Sequence, residues 1–309
     1  MAFGNILDGT FLSDTFSGQS ELPYVFITHY HSDHLTGLAK GNKRYIISSP
    51  LTARYLHHID KVRHELLYPV LPYYRHILPE GLSFSACPAN HCPGSYLFSF
   101  QYKGSKILYT GDFRFNDEIE EWLREQGEFD LVYADDTYYS PRQYKDNDFP
   151  PQEEVLESIT TLVLSKGNRD ILIGTYTIGK EKVLKAVSDA LQMPVYVPEK
   201  HIKYYKIQGL DYFTSDKQQT RIMGYRIGYL TNEEWTRGIS VERHMVIIPT
   251  AMTFYFRKRE GYYYIPYSEH CNNTEFRRFL SIVYPSRVIS LNTGKKIDYP
   301  PEQLDLLKG

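Results

Sequence analysis

Only three cysteines, Cys87, Cys92 and Cys271, occur in 309 residues, and no two of them form a CxxC pair. That excludes a disulfide framework and points to a reducing compartment. Charge of either sign is barely in excess: 35 basic residues against 37 acidic ones leave a net −2. Bulk charge therefore announces no nucleic-acid partner, and a DNA-binding surface would need a local basic groove. No apolar run is long enough for a bilayer and no N-terminal signal-peptide pattern appears, so a soluble intracellular protein without a membrane partner is expected. Low-complexity tails and internal repeats are missing too, which suggests a bare catalytic core. A Ser-His-Asp or Cys-His nucleophile pattern is not found. What is there is a substantial core: 42% hydrophobic and 15% aromatic residues, with 28 tyrosines, enough for one large or two modest domains.

The stretch Thr28-His29-Tyr30-His31-Ser32-Asp33-His34 puts three imidazoles and a carboxylate within six residues. An apolar segment of strand type, 24–27, precedes it, and Leu35-Thr36-Gly37-Leu38 reads as the start of a helix. Histidine nitrogen and carboxylate oxygen suit zinc, manganese or iron. His29 and His31, two apart, can turn toward one ion, while Asp33 and His34 lie past the turn and can face a second. The alternative is a polar surface loop, but four such ligands this close rarely serve packing.

The pattern HxHxDH resembles the signature loop of the metallo-β-lactamase superfamily. Four later segments narrow the resemblance: Ala89-Asn90-His91-Cys92-Pro93-Gly94-Ser95, Tyr109-Thr110-Gly111-Asp112-Phe113-Arg114, Gly174-Thr175-Tyr176-Thr177-Ile178-Gly179-Lys180-Glu181-Lys182 and Ile265-Pro266-Tyr267-Ser268-Glu269-His270. Together, in order, they are similar to the motifs of the metallo-β-lactamase/β-CASP DNA cross-link repair nucleases, the group of Artemis and Apollo. The resemblance implies an α/β fold, an αββα metallo-β-lactamase sandwich over 1–147 and 266–309 with an inserted β-CASP α/β domain over 148–265. It also implies a dinuclear centre. His29, His31, His91 and Asp112 would hold the first ion, and Asp33, His34, Asp112 and His270 the second, with Asp112 bridging. One or two zinc ions are expected, with manganese or magnesium able to support the second site. The nucleophile would then be water rather than a side chain. Asp14 is placed as the family's first-motif aspartate, which orients the metal loop; Asp8 is the competitor. Asp135, at the tip of a strand over 130–134, takes the first acidic position of the β-CASP module.

Read along the chain, strands are expected over 44–48, 82–87, 96–102 and 106–110, and helices over 50–58 and 117–126. Residues 140–151, rich in Pro, Asp and Asn, read as a linker. A helix over 153–165, a strand over 170–174, a helix over 179–191 and a strand over 194–197 make a parallel α/β unit. Residues 200–245 are the least readable. Strands over 245–248, 262–265 and 287–291 and a helix over 274–283 complete the series. Thr177 and Lys180 lie at a strand-to-helix turn, where backbone N–H groups, hydroxyls and a lysine can cradle a phosphate. Helix capping by Thr177 is the plainer reading; the resemblance favours a pocket for a terminal 5′-phosphate with Thr177, Lys180 and Ser268, joined by Thr250. Tyr176 and Tyr267 are placed to stack bases. Arg257 and Lys258, in the densest basic run, are assigned to the DNA backbone. His57, His58, His64 and His244 match no motif and read as non-ligands, and Cys92 reads as a packed thiol. Relatives commonly carry two serines where Cys271-Asn272 stand.

The expected activity is 5′-to-3′ hydrolysis of DNA, single strands or duplex ends bearing a 5′-phosphate, in cross-link repair or end processing. Nuclear location follows from the family alone. No protein partner is legible, and a monomer is expected. The rivals are an Artemis-type structure-specific endonuclease, a β-CASP ribonuclease, a small-substrate hydrolase and a catalytically inactive scaffold that binds DNA ends.

Overall fold

A computed structural model describes residues 11–19, 22–139, 148–253, 256–297 and 299, and the backbone of 5–6. Asp8 and most of the 140–151 linker lie outside the described residues. The chain divides into two compact units: Met1–Asp148 with Glu269–Gly309, and Phe149–Ser268. Residues 266–268, expected in the returning segment, thus fall in the second unit.

The first unit is built on two sheets. One runs in chain order through Asn5–Ile6, Leu12–Ser13, Tyr24–Phe26, Tyr45–Ser48 and Leu67–Pro69. The other is ordered Val288–Ser290, Leu131–Ala134, Ser105–Tyr109, Tyr96–Tyr102, Ser83–Pro88, His76–Ile77. Side chains alternate across a strand, so Tyr96–Tyr102 serves two cores at once. Phe98 and Phe100 meet Phe11, Phe26 and Phe84 between the sheets. Leu97 faces the other way and packs with Ile119, Trp122 and Phe279 from the helices Asp117–Gln126 and Asn273–Val283. Each fully buried phenylalanine contributes about 1.5–3 kcal/mol. Helix Pro50–His58 lies on the first sheet, its start capped by the Ser49 hydroxyl, which accepts from Thr52 N. The unit is an αββα sandwich.

Register brings the ligand-bearing loops together. Ser13 pairs with Phe26, so Asp14 and Thr28 leave adjacent parallel strands at the same end. Tyr109 pairs with Tyr133 and Ala134 with Ser290, so Asp112 and Asp135 emerge side by side. Thr28 O accepts from Tyr96 N at 2.9 Å, tying the two sheets at that end. The helix expected from Leu35 is absent; a 3-10 turn, Ser32–Leu35, takes its place. It is short because His34 must turn inward to Asp14 instead of following a helical stripe.

The second unit has one sheet of parallel strands, ordered Phe213–Thr214, Val195–Tyr196, Ile222–Arg226, Asp170–Thr175, His244–Pro249, Tyr262–Ile265. Helices Gln152–Ser165 and Glu181–Leu191 cover one face through Val155, Ile159, Val183 and Val187, and Leu230 lies in the cluster on the other. The sequence did not disclose strand Ile222–Arg226 or the two short helices after it, Ile227–Thr231 and Glu233–Thr236. No helix among the described residues is long and apolar enough to cross a membrane.

Candidate metal centre

Four imidazoles are aimed by hydrogen bonds at their outer nitrogens. Asp14, fully buried and in the left-handed region at φ 53°, is the hub. Its Oδ1 accepts from Thr28 N at 2.8 Å, and its Oδ2 accepts from the Thr28 hydroxyl at 2.7 Å. The same Oδ2 lies 2.8 Å from His34 Nδ1. Thr28 Oγ1 in turn lies 3.0 Å from His29 Nδ1. Since that hydroxyl already directs its proton to Asp14, it accepts from His29. His91 Nδ1 donates to the Glu269 carbonyl at 2.9 Å, and His270 Nδ1 faces Asp135 Oδ2 at 2.7 Å. In all four rings Nδ1 is engaged by an outer acceptor, which leaves Nε2 to point elsewhere; His29, His91 and His270 present a lone pair there, and His34 also carries a proton on it.

Those lone pairs converge. His29 Nε2 is 2.9 Å and His91 Nε2 3.2 Å from His31 Nδ1. Asp112 Oδ2 sits 3.8 Å from His29 Nε2, 3.6 Å from His91 Nε2 and 3.4 Å from His34 Nε2. Ligands about 2.0–2.1 Å from a tetrahedral ion stand about 3.4 Å from one another, the spacing this cluster has. Neutral imidazole nitrogens this close cannot satisfy each other, since one N–H serves at most one neighbour. His34 Nε2 is buried without any hydrogen-bond partner. An orphaned buried nitrogen beside a carboxylate fits a cation between them. Among the described residues, three donor groups lie within metal-binding reach: His29, His31, His91 and Cys92; His29, His34 and Asp112; and His91, Asp112 and His270.

The electrostatics agree. Burial pushes the His29 imidazole well below its ordinary range, and the neighbouring imidazoles add to this. Burial likewise carries His91 down to about 4. Burial opposes the charge on His34, but the Asp112 and Asp14 carboxylates outweigh it and hold His34 well above its ordinary value. Asp112, despite burial, is held well below the carboxylate range by His34 and then by His270 and His91. The centre thus presents neutral ligand nitrogens, an ionised carboxylate and one proton that an ion must displace.

The candidate ligands singled out in the sequence all lie among the described residues. His29, His31, His34, His91, Asp112 and His270 come together; Asp33 stands at the rim, its Oδ2 3.8 Å from His34 Nε2 and its side chain 54% exposed. Asp135, taken from the sequence as a catalytic candidate, touches the cluster from outside, through His270. Its Oδ2 takes His270 Nδ1 and also Phe113 N at 3.4 Å, just past Asp112, while Thr137 fixes its Oδ1. Cys92, expected as a packed thiol, is buried but also within reach of the three imidazole donors. His57, His58 and His64 group with one another instead, their rings 5.0 and 5.9 Å apart.

Cys271 and Asn272 clamp the Asp112 loop. The Cys271 thiol accepts from Phe115 N at 3.2 Å and faces Phe113 O at 3.4 Å. Asn272 caps helix Asn273–Val283 in a reciprocal box with Glu275, which also grips the buried Arg114 guanidinium at 3.0 Å. Arg114 went unmarked in the sequence because only its distant partner gives it a role.

In the second unit, Thr177 and Lys180 sit in the turn between strand Asp170–Thr175 and helix Glu181–Leu191. Lys180 is buried, at φ 68°, with Nζ 4.7 Å from the Tyr267 ring and 5.5 Å from Tyr176. Tyr176 is exposed, but Tyr267 is fully buried under that cation, so its ring is not open to a base. Ser268 is buried, and its carbonyl accepts from Gln152 Nε2 at 2.8 Å. Thr250 Oγ1 accepts from Met252 N at 3.2 Å. Arg257 and Lys258 are exposed, whereas Arg259 lies over Tyr262 at 4.2 Å.

An αββα sandwich whose loops gather histidines and aspartates at one end defines a class, and comparison with known proteins agrees. The β-lactamase superfamily domain matches residues 14–174, and the DNA repair metallo-β-lactamase domain matches 187–294. The chain belongs to the metallo-β-lactamase superfamily, in its DNA repair branch. It is 28% identical over 298 residues to the 5′ exonuclease Apollo of Gallus gallus, covering 94% of this chain and 64% of that protein. It is 30% identical over 303 residues to the human DNA cross-link repair 1A protein, covering 87% of this chain and 28% of that one. DNA ligase 6 of Arabidopsis thaliana is 28% identical over 308 residues, 88% of this chain and 22% of the ligase. The chain therefore spans less than two thirds of the length of these relatives. Among solved structures, a protein of unknown function from Enterococcus faecalis V583 shares the fold, with a TM-score of 0.62 at 12% identity over 93% of this chain and 78% of that one. Membership of this superfamily implies divalent-metal binding, and the donor set fits it.

Proposed function

We propose that the chain is a metal-dependent DNA nuclease, a 5′-to-3′ exonuclease that prefers a 5′-phosphate and acts in repair in the nucleus. The observation that carries the reading is the convergence of unprotonated nitrogens on Asp112, with the buried and unpartnered Nε2 of His34 beside it. The nitrogen and oxygen donors of this spacing suit zinc, with manganese or magnesium as alternatives at the more open second position. His29, His31, His91 and Asp112 would hold one ion, and Asp33, His34, Asp112 and His270 the other. Bound there, the ions supply Lewis acidity to a phosphodiester oxygen and acidity to water. The chain's own groups hold the geometry. Asp14 through Thr28, the Glu269 carbonyl and Asp135 keep each Nδ1 protonated and each ring fixed. The exposed rim at Asp33 is where a phosphodiester would enter.

Substrate choice falls to the second unit, whose Thr177, Lys180, Thr250 and Ser268 are the candidates for a 5′-phosphate, with Tyr176 for a base and Arg257 and Lys258 for the backbone. That unit carries 16 basic residues against 13 acidic ones, while the whole chain carries 35 against 37, so the basic excess lies there. Relatives named as a 5′ exonuclease and as cross-link repair proteins support the reading.

The test is digestion of single-stranded DNA and matching RNA, labelled at the 3′ end, with either a 5′-phosphate or a 5′-hydroxyl, using wild type and Asp112→Asn. A ladder on phosphorylated DNA that vanishes in the variant is expected. Preference for RNA would place the chain among ribonucleases, and internal cuts that ignore the 5′ group would make it an endonuclease. A folded, metal-loaded protein that cuts nothing would end the nuclease reading.

A further inference from the structure

The geometry points to a second donor set at the first-ion position, in which the Cys92 thiol joins His29, His31 and His91 to hold a thiophilic d10 cation such as cadmium. This rests on the metal-centre part of the proposed function and adds a class of ion to it. One nitrogen of each imidazole and Cys92 Sγ all lie within 4.8 Å of one another. Asp112 is not in this group, but it shares His29 with one neighbouring donor group and His91 with the other. A hard carboxylate oxygen and a soft sulfur therefore compete for the same imidazoles. The other two thiols, Cys87 and Cys271, are buried and fall in no donor group among the described residues.

The backbone that carries the sulfur is fixed. Ser95 Oγ accepts from His91 N at 3.3 Å and from Cys92 N at 3.2 Å, and Cys92 O accepts from Ser95 N at 3.0 Å. Ala89 N donates to Ser95 O at 2.9 Å and closes the loop at its base. Gly94 turns it at φ 82°, and the Gly94 carbonyl accepts from the Ser49 and Thr52 hydroxyls at 2.6 and 3.2 Å. The neighbouring His91 ring is held by the Glu269 carbonyl. Donors held in this way need little rearrangement to bind.

Softness decides which oxygen or sulfur an ion takes. Zinc accepts nitrogen, oxygen or sulfur, and with Asp112 at hand it has no need of a thiolate. Cadmium is larger and softer and gains most from sulfur. A nitrogen and a sulfur on one tetrahedral zinc ion stand about 3.6 Å apart. Donors within 4.8 Å of one another leave room for longer bonds. As the sulfur–cadmium bond forms, the S–H bond breaks, its electron pair goes to the metal and its proton to solvent. Cadmium so held takes the place of the first ion, so it is expected to inhibit the centre.

The test uses the whole chain stripped of metal. Cadmium is titrated in while the sulfur-to-cadmium charge-transfer absorption is read, and zinc affinity is measured in parallel against a chromophoric chelator. The unsubstituted chain should develop the band up to the first equivalent of cadmium. Cys92→Ala and Cys92→Ser, each checked for folding by its melting temperature, should lose the band. Their cadmium affinity should fall at least about tenfold while their zinc affinity stays nearly unchanged. A band that survives both substitutions, or cadmium and zinc affinities that fall together, overturns the proposal. So does a folded, zinc-binding unsubstituted chain that shows no band, and that outcome leaves the metal-centre reading standing. An unsubstituted chain that binds neither ion overturns the metal-centre reading itself, and this proposal with it.

Discussion

Gly111 lies so close to Thr28 that a methyl group on its Cα would come within 2.6 Å of the Thr28 Cβ, Cγ2 and Oγ1. Gly111 precedes Asp112 and has φ 53°; Thr28 relays Asp14 to His29. A side chain at position 111 would push on Thr28, and with it on the place where the Asp112 carboxylate and His29 meet.

Gly111→Ala should therefore harm the centre more than the fold. The left-handed backbone alone costs about 1–2 kcal/mol with a Cβ present. Displacing Thr28 also loosens His29. We expect a folded protein whose metal content falls well below that of the wild type and whose activity drops at least about tenfold. Elemental analysis of the dialysed variant checks it, and full metal loading with wild-type activity would contradict it.

The relay itself is testable without steric strain. Thr28→Val keeps the shape but removes the hydroxyl that donates to Asp14 and accepts from His29. Asp135→Asn keeps an oxygen near His270 but weakens the charge-assisted bond. Each should lower metal affinity by about 10–100-fold, the usual effect of losing an outer partner of a ligand. Competition with a chromophoric chelator measures it. Equal affinities in both variants and wild type would mean that the rings are held by packing alone.

Proton release is the third expectation. His34 is held above its ordinary value by Asp112 and Asp14, and its Nδ1 proton is committed to Asp14. A raised pKa favours the metal-free fold below the unfolded value, and that stability is lost as pH rises through the folded value. An ion at Nε2 must displace the second proton. Apparent affinity should then rise with pH up to the raised value, with about one proton released from His34 per centre filled. Calorimetry in two buffers of different ionisation enthalpy counts it. His34→Gln should abolish that proton; undiminished release in the variant would assign it elsewhere.

Much of this centre was legible in the sequence because ligand chemistry is local. His29, His31, Asp33 and His34 lie within six residues, and no packing role explains four such groups together. The strand over 96–102 was likewise legible, and the structure shows both its faces buried, at Leu97 and Phe98. Partners far along the chain were not legible. Arg114 acquires its meaning from Glu275, 161 residues away. Strand Ile222–Arg226 was missed because Gly224 interrupts its pattern and its neighbours are distant in sequence. Nor could composition foretell that Tyr267 would be buried beneath a lysine instead of facing a base.

Cys271 supplies the last prediction. Relatives commonly have serine here, at a position the resemblance ties to substrate. In this fold the thiol works inward instead. It accepts from Phe115 N and lies against Phe113 O, so it fastens the residue after His270 to the segment after Asp112. Burial raises its pKa well above the thiol range, so it stays a neutral hydrogen-bonding group. Cys271→Ser should preserve both bonds and be nearly silent. Cys271→Val leaves the Phe115 amide buried without its partner, at about 1–3 kcal/mol, or roughly 2–8 °C in melting temperature. The informative readout is the metal. If the thiol holds His270 in register with Asp112, the valine variant should lose affinity for the second ion before the first, and the serine variant should not. Equal loss of both ions would reduce Cys271 to a core residue like any other.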